Sequence, residues 1–413
     1  MGSTESIADY RVSEHYRVNT LREQPDPMVP SPHLTQMANL NQLPTVKLND
    51  SVRSRSLPRW ALIVLILAAA LLVALLVLIA VLYYPRNAVI GFLASLLPLA
   101  IVMSVLLVMN RWVPQPLWLL LLAFLWGAGI ATSVSLAGNT GFTLLVAKSF
   151  GTLVNPEIFS ATLIAPFVEE TLKGLGVLLI LIARRSRLNS PLEGIVIAGI
   201  LAEGFAFTEN IIYFARSPES LLGTFFARAL LSPFAHTIFT SLTGVAIVLA
   251  ITRMNDKHRF AVLWAAPIGW GSAVCLHALW NTMSFSTLGF VFGYALIAFP
   301  IFLFWLVMNL VVSAQQRNWI ASGLRPYVKA GWFAESEVPM VTDPRVRRQA
   351  RSLARRDGKT KAMRAFQNIA AEISLNYVTA RYIGLSEDRS NYIQGLLSQL
   401  GETRNKLAAP RRL

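Results

Sequence analysis

Between about residue 60 and residue 312 the chain alternates between apolar runs of twenty or more residues and short polar breaks. Runs of that length suit helices crossing a hydrocarbon layer of about 30 Å. The pattern predicts helices at 60–83, 88–109, 115–137, 157–183, 192–215, 227–253, 260–285 and 287–312. The expected fold class is therefore all-α, a polytopic membrane protein of about eight transmembrane helices with a small cytosolic helical C-terminal tail. Residues 138–156, with Gly138, Gly141 and Gly151, read as an outer loop or a re-entrant segment.

The flanks differ in composition. Residues 1–59 are polar, hold Pro25, Pro27, Pro30 and Pro32 and lack apolar periodicity, which predicts a disordered cytoplasmic arm. The arm has no signal-peptide-like apolar core. Three segments follow: the arm at 1–59, a transmembrane domain at 60–312 and a basic, helical cytoplasmic tail at 313–413. In the tail, Met363, Phe366, Ile369, Ile373 and Tyr377 recur at helical spacing, predicting an amphipathic helix over 359–382. The tail either packs on itself as a helical hairpin or docks on the anionic leaflet through Arg345, Arg347, Arg348, Arg351, Arg355 and Arg356.

Charge adds orientation. The net +15 suggests nucleic acid at first sight, but the excess sits beside the apolar runs and in the tail, so membrane topology explains it and no nucleic-acid partner is expected. With the N-terminus inside, Arg53, Arg55, Arg59, Arg111, Arg184, Arg185, Arg187, Arg253, Lys257 and Arg259 lie at inner edges. Only Arg86, Lys148, Arg216 and Arg228 lie at outer ones. Both termini are thus expected in the cytoplasm, which requires an even number of spans. The single cysteine, Cys275, excludes an internal disulfide and a thiolate zinc cluster.

Candidate chemistry comes from ionisable residues inside the apolar runs: Glu169, Glu170, Lys173, Glu203, Glu209, His236 and His277, with Asn281. Such groups cost several kcal/mol each at bilayer depth unless partnered, and the usual reason for keeping them is function. At about 1.5 Å per residue, Glu169, Glu209, His236 and His277 lie roughly 9–18 Å below the outer surface on four separate helices. Glu169 and Glu170 share a helical face with Lys173, so one carboxylate can serve as base while its neighbour orients it. His277 and Asn281, four apart, can converge on one oxygen as an oxyanion-binding pair. Ser232, His236 and Thr240 form a stripe on the sixth run, and Phe205, Glu209 and Tyr213 one on the fifth.

The bland readings are an ion pair for Glu169, Glu170 and Lys173, and interhelical hydrogen bonds for His277 and Asn281. His236 could partner Ser232 or Thr240 instead of a substrate. Glu203, on another face, is expected to bond a neighbouring helix, and Trp280 to pack. His258 reads as solvated, and His15 and His33 fall in the arm.

No serine stands in a nucleophile-elbow pattern, Cys275 shares no helical face with a histidine, and HExxH is absent. Water activation remains, by a glutamate base or by a metal held by glutamate and histidine.

The string Glu169-Glu170-Thr-Leu-Lys173, then Phe205-Ala-Phe-Thr-Glu209-Asn210, then His236, then His277-Ala-Leu-Trp280-Asn281, resembles the PrsW family of intramembrane proteases. That family looks distantly related to the CAAX-processing membrane endopeptidases, with their EExxxR, FxxxH and HxxxN motifs. The resemblance covers about 60–312 and four motifs in order. Lys173 stands one residue earlier than the arginine of that pattern, on the same face, and Glu209 stands where it has a histidine. The segment from Gly331-Trp332 through Glu335 and Glu337 resembles tails of actinobacterial members.

The resemblance implies a bacterial cell-membrane protease that cuts a membrane-tethered protein, such as an anti-sigma factor, near its extracytoplasmic side. In that reading Glu169 activates water, Glu170 and Lys173 hold it in place, and His277 with Asn281 stabilises the oxyanion. Glu209 and His236 complete the cavity. If a metal is used, the expected cofactor is zinc on Glu169, Glu209, His236 and His277; otherwise there is none. The expected partners are a membrane-anchored protein substrate and the lipid bilayer. Two other classes compete: a proton-coupled transporter using the same carboxylates and histidines, and a non-catalytic scaffold whose tail recruits partners. No internal repeat supports the transporter.

Overall fold

The computed structural model describes residues 26, 28–30, 59–216, 220–253 and 260–409, and all regular elements among them are helical. The expectations for residues 1–25 and 31–58, with His15 and His33, and for His258 lie outside the described residues.

Eight long helices follow in order. They are α1 (Arg59–Tyr83), α2 (Pro85–Met109), α3 (Leu117–Phe150), α4 (156–183), α5 (Pro191–Arg216), α6 (Leu221–Arg253), α7 (Ala261–Met283) and α8 (Thr287–Lys329). Seven of them are long and apolar enough to span a bilayer. The exception is α4, which carries Glu157, Glu169, Glu170 and Lys173 and packs against α3, α5, α6 and α7. Glu169, Glu170 and Lys173 are buried against protein, while Glu157 at the helix start and Phe167, Leu175, Leu179 and Ile182 along it are exposed. The chain is thus an all-α, multi-pass membrane protein whose least apolar long helix is tucked among more apolar ones, as the absence of water in hydrocarbon demands.

At the centre stands α5. It is buried over most of its length and touches α1, α2, α3, α4, α6 and α8. Small residues permit this. A Cβ on Gly127 of α3 would lie 1.8 Å from the Leu201 carbonyl of α5, and one on Gly194 of α5 would lie 2.4 Å from the Gly244 carbonyl of α6. Helix pairs approach that closely only where one side has no side chain. By contrast, Leu67, Leu71 and Leu82 of α1 are exposed, as are Phe304 and Leu310 of α8, the apolar exterior that lipid covers.

Two boundaries differ from expectation. Residues 138–150 are not a loop: α3 continues to Phe150 and ends where Gly151 takes a φ of 55°. Leu144 and Leu145 lie exposed there, so hydrocarbon favours keeping the backbone helical, and glycine is tolerated in such helices. Likewise α8 does not stop near 312 but runs to Lys329.

Four helices contain π-helical segments: Trp126–Ala131 in α3, Ser160–Ile164 in α4, Phe226–Leu231 in α6 and Tyr294–Ala298 in α8. In α6 the π segment opens into a non-helical step over 232–234 before the helix restarts at Ala235. Pro233 there has no N–H to continue the ladder.

Beyond α8 come α9 (Glu337–Thr342), α10 (Pro344–Arg356), α11 (Thr360–Ile383) and α12 (Glu387–Ala408). Ile320, Leu324 and Tyr327 at the end of α8 share a core with Phe366, Ala370 and Ile373 of α11 and Leu396, Leu397 and Leu400 of α12. Arg347 is buried, donating to the Val341 carbonyl and to Asn368, whereas Arg345, Arg348, Arg355 and Arg356 stay exposed. Residues 26 and 28–30, expected to be disordered with the rest of the arm, rest on this tail. Val29 is buried in its core, Tyr377 donates to Asp26 at 2.5 Å, and the Trp332 indole donates to the Pro30 carbonyl at 2.5 Å.

Candidate active site

The ionisable residues of four helices meet. On α4, Glu169, Glu170 and Lys173 are all buried, three and four residues apart, so one face presents two carboxylates around one ammonium. Lys173 Nζ sits 2.6 Å from Glu170 Oε1, 3.8 Å from Glu169 Oε2 and 3.1 Å from His236 Nδ1 of α6. It also lies 4.1 Å from the centre of the Phe205 ring of α5, a cation–π contact that covers the remaining side of the charge.

The two neighbouring carboxylates differ sharply in their surroundings. Glu170 is fully engaged: Thr240 donates to Oε2 at 2.9 Å, while Oε1 takes Lys173 and His277 Nδ1, the latter at 3.1 Å. Glu169 accepts one bond, from Asn139 Nδ2 to Oε1 at 3.2 Å, and its buried Oε2 has no hydrogen-bond partner among the described residues. A buried carboxylate oxygen left over in this way needs a proton, a water or a cation.

His277 donates from Nδ1 to Glu170, which fixes its tautomer and leaves Nε2 as an acceptor 3.9 Å from Glu169 Oε2. Phe239 stacks on the imidazole at 5.0 Å, and the His236 ring stands perpendicular to it at 5.2 Å. His236 accepts from Lys173 at Nδ1 and donates from Nε2 to Glu209 Oε2 at 2.9 Å.

Arg228 anchors Glu209 at 2.5 Å, bonds Asn210 Oδ1 at 2.6 Å and stacks on Tyr213 at 4.2 Å. Three carboxylates thus face two permanent cations, Lys173 and Arg228, and the imbalance of one negative charge coincides with the unpartnered oxygen of Glu169.

All of this opens on a cavity of 520 Å³ lined by Glu169, Glu209, His236, His277, Asn281 and Arg228, among others. The cavity also touches Glu157 and Arg216, which lie toward the predicted outer ends of their helices, so it reaches upward from the buried groups. Asn281 donates from Nδ2 to the Ala161 carbonyl of the α4 π segment at 2.8 Å. Its amide has a second N–H, so this bond does not exhaust it.

A single candidate metal group among the described residues comprises Glu169, His236 and His277, whose ligand atoms lie within 4.8 Å of one another. Glu209, expected as a further ligand, stands outside it, held by Arg228 and His236.

Residues 115–307 match the profile of the PrsW family intramembrane metalloproteases. Protease PrsW of Clostridioides difficile (strain 630) is 30% identical over 176 residues, covering 42% of this chain and 72% of that protein. The chain belongs to the PrsW family. It is therefore an intramembrane protease, a hydrolase of peptide bonds whose substrate is a protein in a membrane. No solved structure matches it significantly. The stretch matching the PrsW profile runs from α3 into α8 and contains every residue of the cluster, while α9–α12 lie beyond it.

Sequence reasoning missed two members of this PrsW site. Arg228 reads in sequence as an outer-edge charge, and Asn139 falls in the stretch expected to be a loop. The available signal for Arg228 was its place one helical turn before the stripe of Ser232 and His236. Glu203 is buried apart from the cluster; the expected bond to a neighbouring helix is not seen at Oε2, which has no partner among the described residues.

Proposed function

We propose that this PrsW-family member hydrolyses a peptide bond of a membrane-anchored protein with Glu169 as general base and Glu170 as its positioning partner. The observation that carries the reading is the contrast between the saturated Glu170 and the free, buried Oε2 of Glu169 at the cavity wall. A water held there gives its proton to Glu169 as it attacks the scissile carbonyl, and Glu169 returns that proton to the leaving amine. Glu170 and Thr240 hold His277 and Lys173 in place. The second N–H of Asn281 and the cavity face of His277 stabilise the oxyanion, which His277 can do only after taking up a proton at Nε2.

The family description as metalloproteases raises a metal. The donor types fit zinc, since two imidazoles and a carboxylate make a three-ligand catalytic set and one of the donors is otherwise without a partner. In that alternative Glu169, His236 and His277 would hold the ion, with His236 giving up one of its bonds to Lys173 and Glu209, and the ion, in place of Glu169 as base, would supply a Lewis acid and lower the pKa of bound water.

The proposed setting is a bacterial cell membrane with both termini cytoplasmic, supported by the excess of basic residues at the inner edges. That orientation puts the cavity in the outer half of the bilayer. A membrane-tethered anti-sigma factor cut near its extracytoplasmic side is a substrate of the matching kind. The test is purified protein in detergent with a single-span substrate. Wild type cleaves it, and Glu169→Gln does not; full activity in the variant removes the mechanism.

A further inference from the structure

The non-helical step of α6 at 232–234 separates two spaces of opposite character. On one side lies the catalytic cavity, which joins a wider cleft of 640 Å³ through shared walls at Tyr213, Arg228, His236 and Trp280. On the other side is a cavity of 340 Å³ whose walls include Ile238, Phe239, Leu276, Met283, Tyr294 and Phe302. No charged residue lines it, and the Ser232 hydroxyl at its edge is spent on the Ala227 carbonyl at 2.7 Å. Trp280 lines all three spaces, and Ser232, Pro233 and Ala235 line both the cleft and the apolar cavity.

The same short stretches of α6 and α7 serve both sides. Ala235 and Phe239 face the apolar cavity while His236 faces the cleft; Leu276 faces the apolar cavity while His277 faces the catalytic one. Phe239 lines the apolar cavity and stacks on His277, which lines the catalytic one. An apolar cavity of about 150 Å³ accepts a benzene ring, so this one has ample room for the side chain of Leu, Met or Phe. An extended chain advances about 3.3 Å per residue with side chains on alternate sides. A substrate lying in the cleft with its scissile bond at Glu169 therefore brings a neighbouring side chain past Trp280.

We propose that this apolar cavity is the side-chain subsite of the protease, selecting a bulky apolar residue of the substrate's membrane segment within about two positions of the cleaved bond. The proposal rests on the catalytic reading above. The lining it shares with the cleft at Ser232, Pro233, Ala235 and Trp280 favours a substrate side chain as occupant over a lipid acyl chain. The far wall is the π segment of α8, which carries no catalytic group, so Ala298→Phe can fill the space and Phe302→Ala can enlarge it.

The experiment uses the full-length protein in detergent and single-span substrates with Ala, Leu, Phe or Trp placed singly at the three positions on each side of the cut. Fragments are quantified by mass spectrometry as kcat/KM. For wild type, one position is expected to favour Leu or Phe over Ala by tenfold or more, the range that small changes in an apolar pocket produce. Ala298→Phe should reduce that ratio to within about twofold while still cleaving the Ala substrate, which also proves that the variant folds. Phe302→Ala should move the preference toward Trp.

Cleavage by wild type without preference at any position overturns the subsite alone. Absence of any cleavage overturns the catalytic reading and the subsite with it. Unchanged ratios in Ala298→Phe, with loss of a co-purifying phospholipid, assign the cavity to an acyl chain and also overturn the proposal.

Discussion

Two buried polar networks sit at opposite ends of α5, and they are built on different principles. At the N-terminal end, Arg389 of α12 bonds Asn189 Oδ1 at 2.7 Å and Asn376 Oδ1 at 2.6 Å; the Asn189 N–H donates to Glu193 Oε1 at 3.2 Å, and Gln115 donates to Glu193 Oε2 at 3.3 Å. There the single carboxylate has both oxygens engaged and the single guanidinium is held by the side chains of two elements. Near the C-terminal end, three carboxylates face the two cations Lys173 and Arg228, one carboxylate oxygen is left over and a 520 Å³ cavity adjoins it. A network whose carboxylate is fully engaged, with Gln115 Oε1 its one unpartnered atom, ties the tail to the turn between α4 and α5. An unsaturated one, open to a cavity, is poised to take up a proton or bind water.

Substitutions at the two ends should separate accordingly. Glu169→Gln is expected to lower cleavage by roughly 10³-fold or more, in line with loss of a general base, with an unchanged thermal midpoint in detergent. Equal loss of stability would make the Glu169 cluster structural, like the Arg389 network. Arg228→Met leaves Glu209 without its cation and should lower kcat by roughly 10²-fold, with partial recovery in Arg228→Lys, because Glu209 then pulls harder on His236. Full activity in Arg228→Met would confine the machinery to α4 and α7.

Dialysis against a strong chelator decides between the two uses of Glu169: loss of cleavage that zinc restores would make it a ligand, and undiminished activity would leave water activation to Glu169 unaided. At the N-terminal end of α5, Arg389→Ala should cost about 3 kcal/mol of stability through the stranded amide oxygens of Asn189 and Asn376, with cleavage per folded molecule close to wild type. Guanidinium burial already lowers the Arg389 pKa to about 10, a sign of how fully it is withdrawn from water.

The smallest effect concerns Glu372 in the tail. Burial raises its pKa, although the Tyr392 hydroxyl donates to it. With the folded value above the unfolded one, the favourable contribution is complete below the unfolded pKa of about 4.3 and is lost as pH rises through the folded value. Hydrogen exchange of α11 should therefore quicken as pH rises from acid toward neutrality, after correction for intrinsic rates. Glu372→Gln should flatten the trend, and an unflattened trend would locate the titration elsewhere.

Much of this was legible in the chain because the membrane makes ionisable residues conspicuous. Glu169, Glu170, Lys173, Glu209, His236 and His277 stand out inside apolar runs, and the i, i+3 and i, i+4 spacing of α4 already joins both carboxylates to one lysine. Asn139 could not be recognised, since its neighbours Gly138 and Gly141 suggest a loop in water but are compatible with a helix in lipid. Asn281 illustrates a different gap. Its spacing from His277 was readable, but its bond to the Ala161 carbonyl depends on the widened turn of α4.

By itself, the sequence determined where the eight long helices lie, apart from residues 138–150 and the extension of α8 to Lys329, because apolar length and charge flanks are properties of a local stretch of chain. It also determined which residue types are available for chemistry. Only the tertiary structure decided that Glu169, not Glu170, keeps a free oxygen, that Arg228 answers Glu209, and that an apolar cavity abuts the cleft at Trp280. Those outcomes depend on how helices distant in sequence share partners in space, and an excess of one carboxylate appears only when every neighbour has been counted.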